Sequence, residues 1–273
     1  METVRIAMLN TDLPVPNVRA KLGTYGTIFH RLLSDAAVRI SPTTKVASAD
    51  FDVVQGEYPE SVSEFDAILI TGSAASAYDN VEWIRVLDEH LGVVVEKDPN
   101  GWELGVHEIR FTNKFDAAMR SSPTSKGLTS IQRPLTPDGE SSREPESEGS
   151  PSLRLQFVHA DHVKIPDPGV LLPPWTIIGS SNHCVVQGVY EKDRILTLQG
   201  HFEFDRFINT ETIKVFGASW KSDELNKALE AMDAEDDAER AAEMVMRFLM
   251  ADVESQANLG RTAGLITPPA EIC

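Results

Sequence analysis

The stretch ILTLQGHFEFDRF, residues 195–207, sets a histidine and a glutamate two positions apart at the end of an apolar run. In an extended segment, residues i and i+2 project to the same side. His201 and Glu203 can therefore share a site at the carboxyl end of a strand, where open α/β sheets bind ligands. A carboxylate beside an imidazole fixes its tautomer and raises its basicity, which suits the histidine to take a proton from a nucleophile. Spacing alone does not single out catalysis, because His-X-Glu also occurs in strands that only pack. Cys184 and Cys273 are the two cysteines. Cys184 lies in SSNHCVVQG, a strand-like run with no glycine elbow before it, and Cys273 ends the chain. His159, Asp161, His162, His183 and His201 carry zinc-type donor atoms, but their spacing fits no standard zinc pattern, and neither metal nor cofactor is expected.

Such side chains need elements to position them. VRIAML (4–9) reads as a buried strand, and residues 17–33 recur apolar at helical spacing, with Asn17 available as a cap. FDVVQGEYP (51–59) and FDAILITGS (65–73) read as further strands, and VEWIRVLDEHL (81–91) as a helix. This order predicts an α/β fold with a mostly parallel, doubly wound sheet. LRLQFVHADHV (153–163), WTIIGSS (175–181), CVVQGVY (184–190) and RILTLQG (194–200) read as four short strands at hairpin spacing. From Asp223 to Ser255, Leu225, Leu229, Met232, Met244, Val245, Phe248 and Leu249 keep one apolar face, which predicts an amphipathic helix capped by Ser222 and broken near Asp236.

The expected organisation is a single domain over residues 1–255 with a flexible tail at 256–273. A Ser/Pro-rich insert at 119–153 interrupts it, too poor in large apolar groups to repay its ordering entropy. Ser122, Thr136 and Ser150 each precede a proline there, a dipeptide common by chance in linkers of this composition. The 273 residues are 41% hydrophobic, enough for a real core, and carry a formal net charge of −17. That charge opposes binding to phosphate backbones and anionic lipid, so neither nucleic acid nor membrane is an expected partner. No apolar run approaches the roughly 18 residues of a membrane span. Two cysteines, and a first strand that follows Met1 without a basic leader, point to the cytoplasm.

LTLQGHFEF, FDAILITGSAASAYD, GWELGVHEI and FVHADHV, in their order along the chain, resemble the class I glutamine amidotransferases, above all the small free-standing members that include γ-glutamyl peptide hydrolases. The resemblance covers most of residues 4–250 outside the insert and implies the flavodoxin-like fold of that family. It implies a Cys-His-Glu triad, with His201 and Glu203 in the last two roles, and one backbone oxyanion donor near Gly72 and Ser73 in the ITGS segment, the second donor following the cysteine. Phe202 stands where the family often has proline. HADH is similar to a segment the family uses structurally beside the site. The implied ligand is glutamine or another γ-glutamyl small molecule, and a separate synthetase or acceptor enzyme is an implied partner.

The family carries its cysteine in a strand-to-helix elbow of the form GxCxGHQ, between the helix after ITGS and the GWExG segment. Here WIRVLDEHLGVVVEKDPNGWELG passes directly from one to the other. A strand, a turn and a helix need roughly 20 to 25 residues on ordinary element lengths, and that unit is missing. Three readings follow: an amidotransferase-like hydrolase whose elbow was lost from this transcript, a non-catalytic relative that binds a glutamyl ligand or a partner protein, and an enzyme with another nucleophile.

Overall fold

A computed structural model describes residues 2–76, 78, 79, 94–99, 101–121, 151–164 and 174–259. The chain opens with strand β1 (Glu2–Asn10), whose Val4, Ile6, Ala7 and Met8 are all buried, as befits a strand flanked on both edges. Helices α1 (Pro16–Leu22) and α2 (Tyr25–Ile40) follow. The sequence predicts one helix here. Gly23, at φ +88°, ends the first, and the Thr24 hydroxyl accepts the Thr27 N–H to start the second. Asn17 lies inside α1 and donates its amide to Glu211 instead of capping.

Strand β2 (Thr44–Asp52) precedes the run expected at 51–59. Val53–Gln55 forms a 3₁₀ turn because the Asp52 carboxylate accepts the Gln55 N–H. With β3 (Ala67–Ile70) these strands make a parallel sheet of order β2-β1-β3. β4 (Val94–Lys97) pairs antiparallel with β7 (Asp161–Lys164). β5 (Glu103–Phe111) lies antiparallel between β6 (Ser152–His159) and β9 (Gly179–Ser180). The run 153–163 is thus two strands, broken at Ala160, whose carbonyl accepts the Asp98 N–H. β8 (Thr176–Ile177), β10 (Val189–Glu191) and β11 (Ile195–Leu196) form a small antiparallel sheet, so the strand expected at 184–190 is confined to its last residues.

Helix α3 (Asn113–Ser121) buries Phe115 and Met119, and β6 buries Leu153, so both ends of the expected insert belong to folded elements. Its interior, 122–150, the expected helix at 81–91 and the tail from 260 lie outside the described residues. Helix α4 (Arg206–Phe216) has no counterpart in the sequence reading; the Asp205 carboxylate caps it by accepting the Ile208 N–H. α5 (Ser222–Ala231) and α6 (Ala238–Leu259) divide the terminal amphipathic segment across Asp236, with Lys221 and not Ser222 at the cap position. The main core joins Val4, Ile6 and Met8 to Phe29 and Leu33 of α2, Leu155 and Phe157 of β6, and Ala242 and Met246 of α6. Each such buried side chain is worth roughly 1.5 to 3 kcal/mol.

Candidate functional site

Residues 200–204 lie between β6 and α4, and both fix them. The His201 N–H donates to the Gln156 carbonyl at 2.8 Å, an isolated bridge on the edge of β6 opposite β5. Gln156 is itself fully buried, its side-chain oxygen accepting the Asn209 amide of α4 at 2.8 Å. From this anchor His201 Nδ1 donates to Glu203 Oε1 at 2.7 Å. A carboxylate can only accept, so Nδ1 carries the proton and Nε2 keeps the basic lone pair of the neutral ring. Phe204 covers one face of the imidazole, with centroids 4.1 Å apart and planes 16° from parallel, and Tyr25 stacks on the far face of Phe204 at 6.0 Å and 14°. Burial, then the negative charge of Glu203 and Asp12, pushes the Tyr25 phenol well above its ordinary range.

Gly72 closes the third side. A Cβ at that position would stand 3.2 Å from His201 Cε1, tighter than side chains normally pack. The structure therefore brings together His201, Glu203 and Gly72 from opposite ends of the sequence, with Ser73 next along the loop, and all four line a cavity of about 930 Å³. Among the described residues nothing hydrogen-bonds to His201 Nε2 or to the N–H groups of Gly72 and Ser73. The remaining wall is mixed: Ile68, Leu69 and Ile70 of β3 line it with Leu196, Leu198, Val245, Phe248 and Leu249, beside Asp12, Lys97, Asp161 and Arg194. Among the described residues no cysteine lines it.

Cys184 is buried away from the cavity, its Sγ 3.4 Å from the Val186 carbonyl, and burial raises its thiol pKa, the reverse of what a nucleophile needs. Cys273 lies outside the described residues. The zinc-type donors separate into three groups. His159 faces Glu103 Oε2 at 2.9 Å, His162 and His183 share Asp98 Oδ2 at 3.1 and 3.3 Å, and His201 stays with Glu203. Asp161 accepts the Tyr78 hydroxyl. Among the described residues no three His, Cys, Asp or Glu side chains converge on a metal position. The sequence reading missed Thr11 and Asp12, which hold the loop carrying Gly72; their contacts lie some 60 residues away in the chain, and only the pairing of β1 with β3 creates them.

This fold has clear counterparts. A glutamine amidotransferase from Thermotoga maritima superposes with a TM-score of 0.52 over 94% of this chain and 99% of that one, at 15% identity. One from Methylobacillus flagellatus gives 0.55 over 93% and 95%, at 12% identity. In sequence, a glutamine amidotransferase-like protein of Schizosaccharomyces pombe is 25% identical over 255 residues, 90% of this chain and 98% of its own length. The chain has a glutamine amidotransferase-type fold. A glutamine amidotransferase of Saccharomyces cerevisiae is 31% identical over 147 residues, 52% of this chain and 54% of that protein. No protein-family model matches the chain. Among the described residues no helix is long and apolar enough to cross a membrane.

Proposed function

We propose that the chain derives from a hydrolase of γ-glutamyl amides, glutamine or a γ-glutamyl peptide, in which His201 is the general base and acid, Glu203 orients it, and a backbone N–H near Gly72 and Ser73 is one of two oxyanion donors, the other following the cysteine. The observation that carries this reading is the imidazole held on three sides by Glu203, Phe204 and Gly72, with Nε2 left without a partner among the described residues at the cavity. In such a reaction a thiol gives its proton to Nε2 and its sulfur to the γ-carbonyl carbon; ammonia or an amine leaves with that proton, and water then cleaves the thioester. On this reading the chain keeps the base and the ITGS donor, and among the described residues no thiol lines the cavity beside them. Among the described residues β3 pairs with β1 alone and exposes Ile68 and Ile70, as loss of a central strand and its helix would leave it, which favours an elbow lost from this transcript. In an intact form, ammonia could pass to a separate synthetase or acceptor enzyme.

Purified as it stands, the chain is expected to release no glutamate from L-glutamine above a Cys184→Ala, Cys273→Ala background; turnover above that level would show that another residue serves as nucleophile. Genomic sequence around the codons for His90 to Val95 tests the origin. An in-frame GxCxGH segment there supports a lost elbow. An uninterrupted locus favours the second reading, a non-catalytic protein that binds a glutamyl ligand or a partner, for which the retained dyad and cavity are the supporting observation.

A further inference from the structure

The backbone donor assigned to the oxyanion sits in a loop that touches the end of β1. Thr11 is buried, and its hydroxyl shares one proton between two successive carbonyls, Thr71 O at 2.8 Å and Gly72 O at 2.9 Å, the latter also 3.2 Å from the Thr71 hydroxyl. The Thr11 N–H donates to the Thr71 hydroxyl at 3.0 Å, and Asp12 Oδ2 accepts the Ala74 N–H at 2.8 Å. In a trans peptide the C=O and N–H of one plane point in opposite directions. Drawing the Thr71 and Gly72 carbonyls towards Thr11 therefore turns the Gly72 and Ser73 N–H groups away from it. Neither donor has a partner among the described residues, and both residues line the cavity.

We propose that Thr11, assisted by Asp12, is a positioning residue that holds the peptide planes on either side of Gly72 so that the loop presents its backbone donor, near Gly72 and Ser73, already aimed at a negatively charged oxygen. A loop containing glycine can rotate its peptide planes at little steric cost, and a rotated plane would offer that oxygen a repelling carbonyl instead of an N–H. Donors aid a reaction only if they are already aimed when charge develops. The role as oxyanion donor rests on the γ-glutamyl reading, whereas the orientation itself can be measured in the free protein.

The experiment is NMR of the whole chain carrying Thr11→Val, which keeps the shape and removes the hydroxyl, or Thr11→Ser, which keeps the hydroxyl. In Thr11→Val the Thr71 carbonyl carbon should shift to the value of a carbonyl without a hydrogen bond, and the Gly72 carbonyl carbon, still within reach of the Thr71 hydroxyl, should shift in the same direction by less. Exchange of the Ala74 amide should rise about tenfold, corresponding to about 1.4 kcal/mol lost from the loop. Thr11→Ser should match the wild type in both. L-Glutamine should move the Gly72 and Ser73 amide signals in the wild type and Thr11→Ser, and leave them in place in Thr11→Val. Unchanged carbonyl shifts in Thr11→Val overturn the positioning role, whether or not L-glutamine binds. Changed carbonyl shifts with no response to L-glutamine in any variant uphold the positioning role and remove the γ-glutamyl reading. If Thr11→Val does not fold, wild-type carbonyl shifts typical of free carbonyls overturn the proposal unaided.

Discussion

The two walls of the cleft are built to different standards. On the dyad side, β6 is paired with β5, Gln156 holds the His201 backbone, and Glu103 accepts from His159, Ser181 and Gln187. On the other side β3 pairs with β1 alone among the described residues, and its Ile68 and Ile70 are 48% and 49% exposed. Leu9 and Ile70 are register neighbours on adjacent parallel strands, yet Leu9 is only 7% exposed. Apolar burial decays within one strand spacing, although the side chains are of one kind. An isoleucine-rich strand suits a position covered on both faces and paired on both edges, so the open wall has the composition of an interior and the environment of an edge.

The largest expected effect follows from filling that wall. A version carrying a strand, a GxCxGH turn and a helix between His90 and Gly92 should bury Ile68 and Ile70 and gain several side chains' worth of burial, each about 1.5 to 3 kcal/mol, against a domain total of about 5 to 15 kcal/mol. Thermal melts of the two chains side by side check this. A monomeric, cooperatively melting 273-residue chain of equal stability would break the comparison and point to a protein adapted to work without the unit. In the restored chain His201→Ala should abolish glutamine hydrolysis.

A pair of truncations probes the same contrast within the present chain. Leu9→Ala should destabilise by about 2 to 5 kcal/mol, the range for a buried aliphatic side chain that leaves a cavity. Ile70→Ala should change stability by less than about 1 kcal/mol, because half of its surface already meets solvent. Denaturant midpoints with unchanged slopes would measure both; equal losses would mean that Ile70 is covered in solution.

The dyad wall has a pH signature that the open wall lacks. Burial pushes the Glu103 carboxyl up, but hydrogen bonds from His159, Ser181 and Gln187 together outweigh it and hold the group below its ordinary value. The unfolded chain then binds a proton at this site more readily than the folded one. The contribution is fully present above the unfolded value of about 4.3 and is lost as pH falls through the lower folded value. Glu103→Gln should cost about 1 to 3 kcal/mol at neutral pH and flatten the acid limb of stability against pH, read from denaturant midpoints between pH 3 and pH 7.

Much of this was legible in the sequence where the cause is local. The two-residue spacing of His201 and Glu203 gives their meeting, and the apolar run 4–9 gives the central strand. The misses have local causes too: Gly23-Thr24 ends one helix and caps another, and Asp205 caps α4, signals outweighed by continuous apolar spacing in the first case and passed over in the second. Other features were out of reach in principle. Glu103 with His159 and Gln187, and Thr11 with Gly72, are pairings across 56 to 84 residues that no short window contains.

A small expected effect on the dyad side is the sharpest test of how the finished wall works. Phe204 is buried with Val18, Ile28 and Ile208 and lies between the rings of Tyr25 and His201. Phe204→Leu keeps the site apolar and close in volume, so its cost should be about 1 kcal/mol, set by lost stacking and imperfect repacking. The imidazole loses its flat support, however, and Glu203 alone must then hold its plane. Nitrogen-15 shifts of His201 should report the Nδ1–H tautomer in the wild type and a mixture in Phe204→Leu, with Phe204→Tyr restoring the single form. Ile70→Ala, across the cleft, should leave those shifts untouched. A mixed tautomer in the wild type would mean that Glu203 and the stack do not fix the ring, and the two walls would then differ in packing but not in readiness for chemistry.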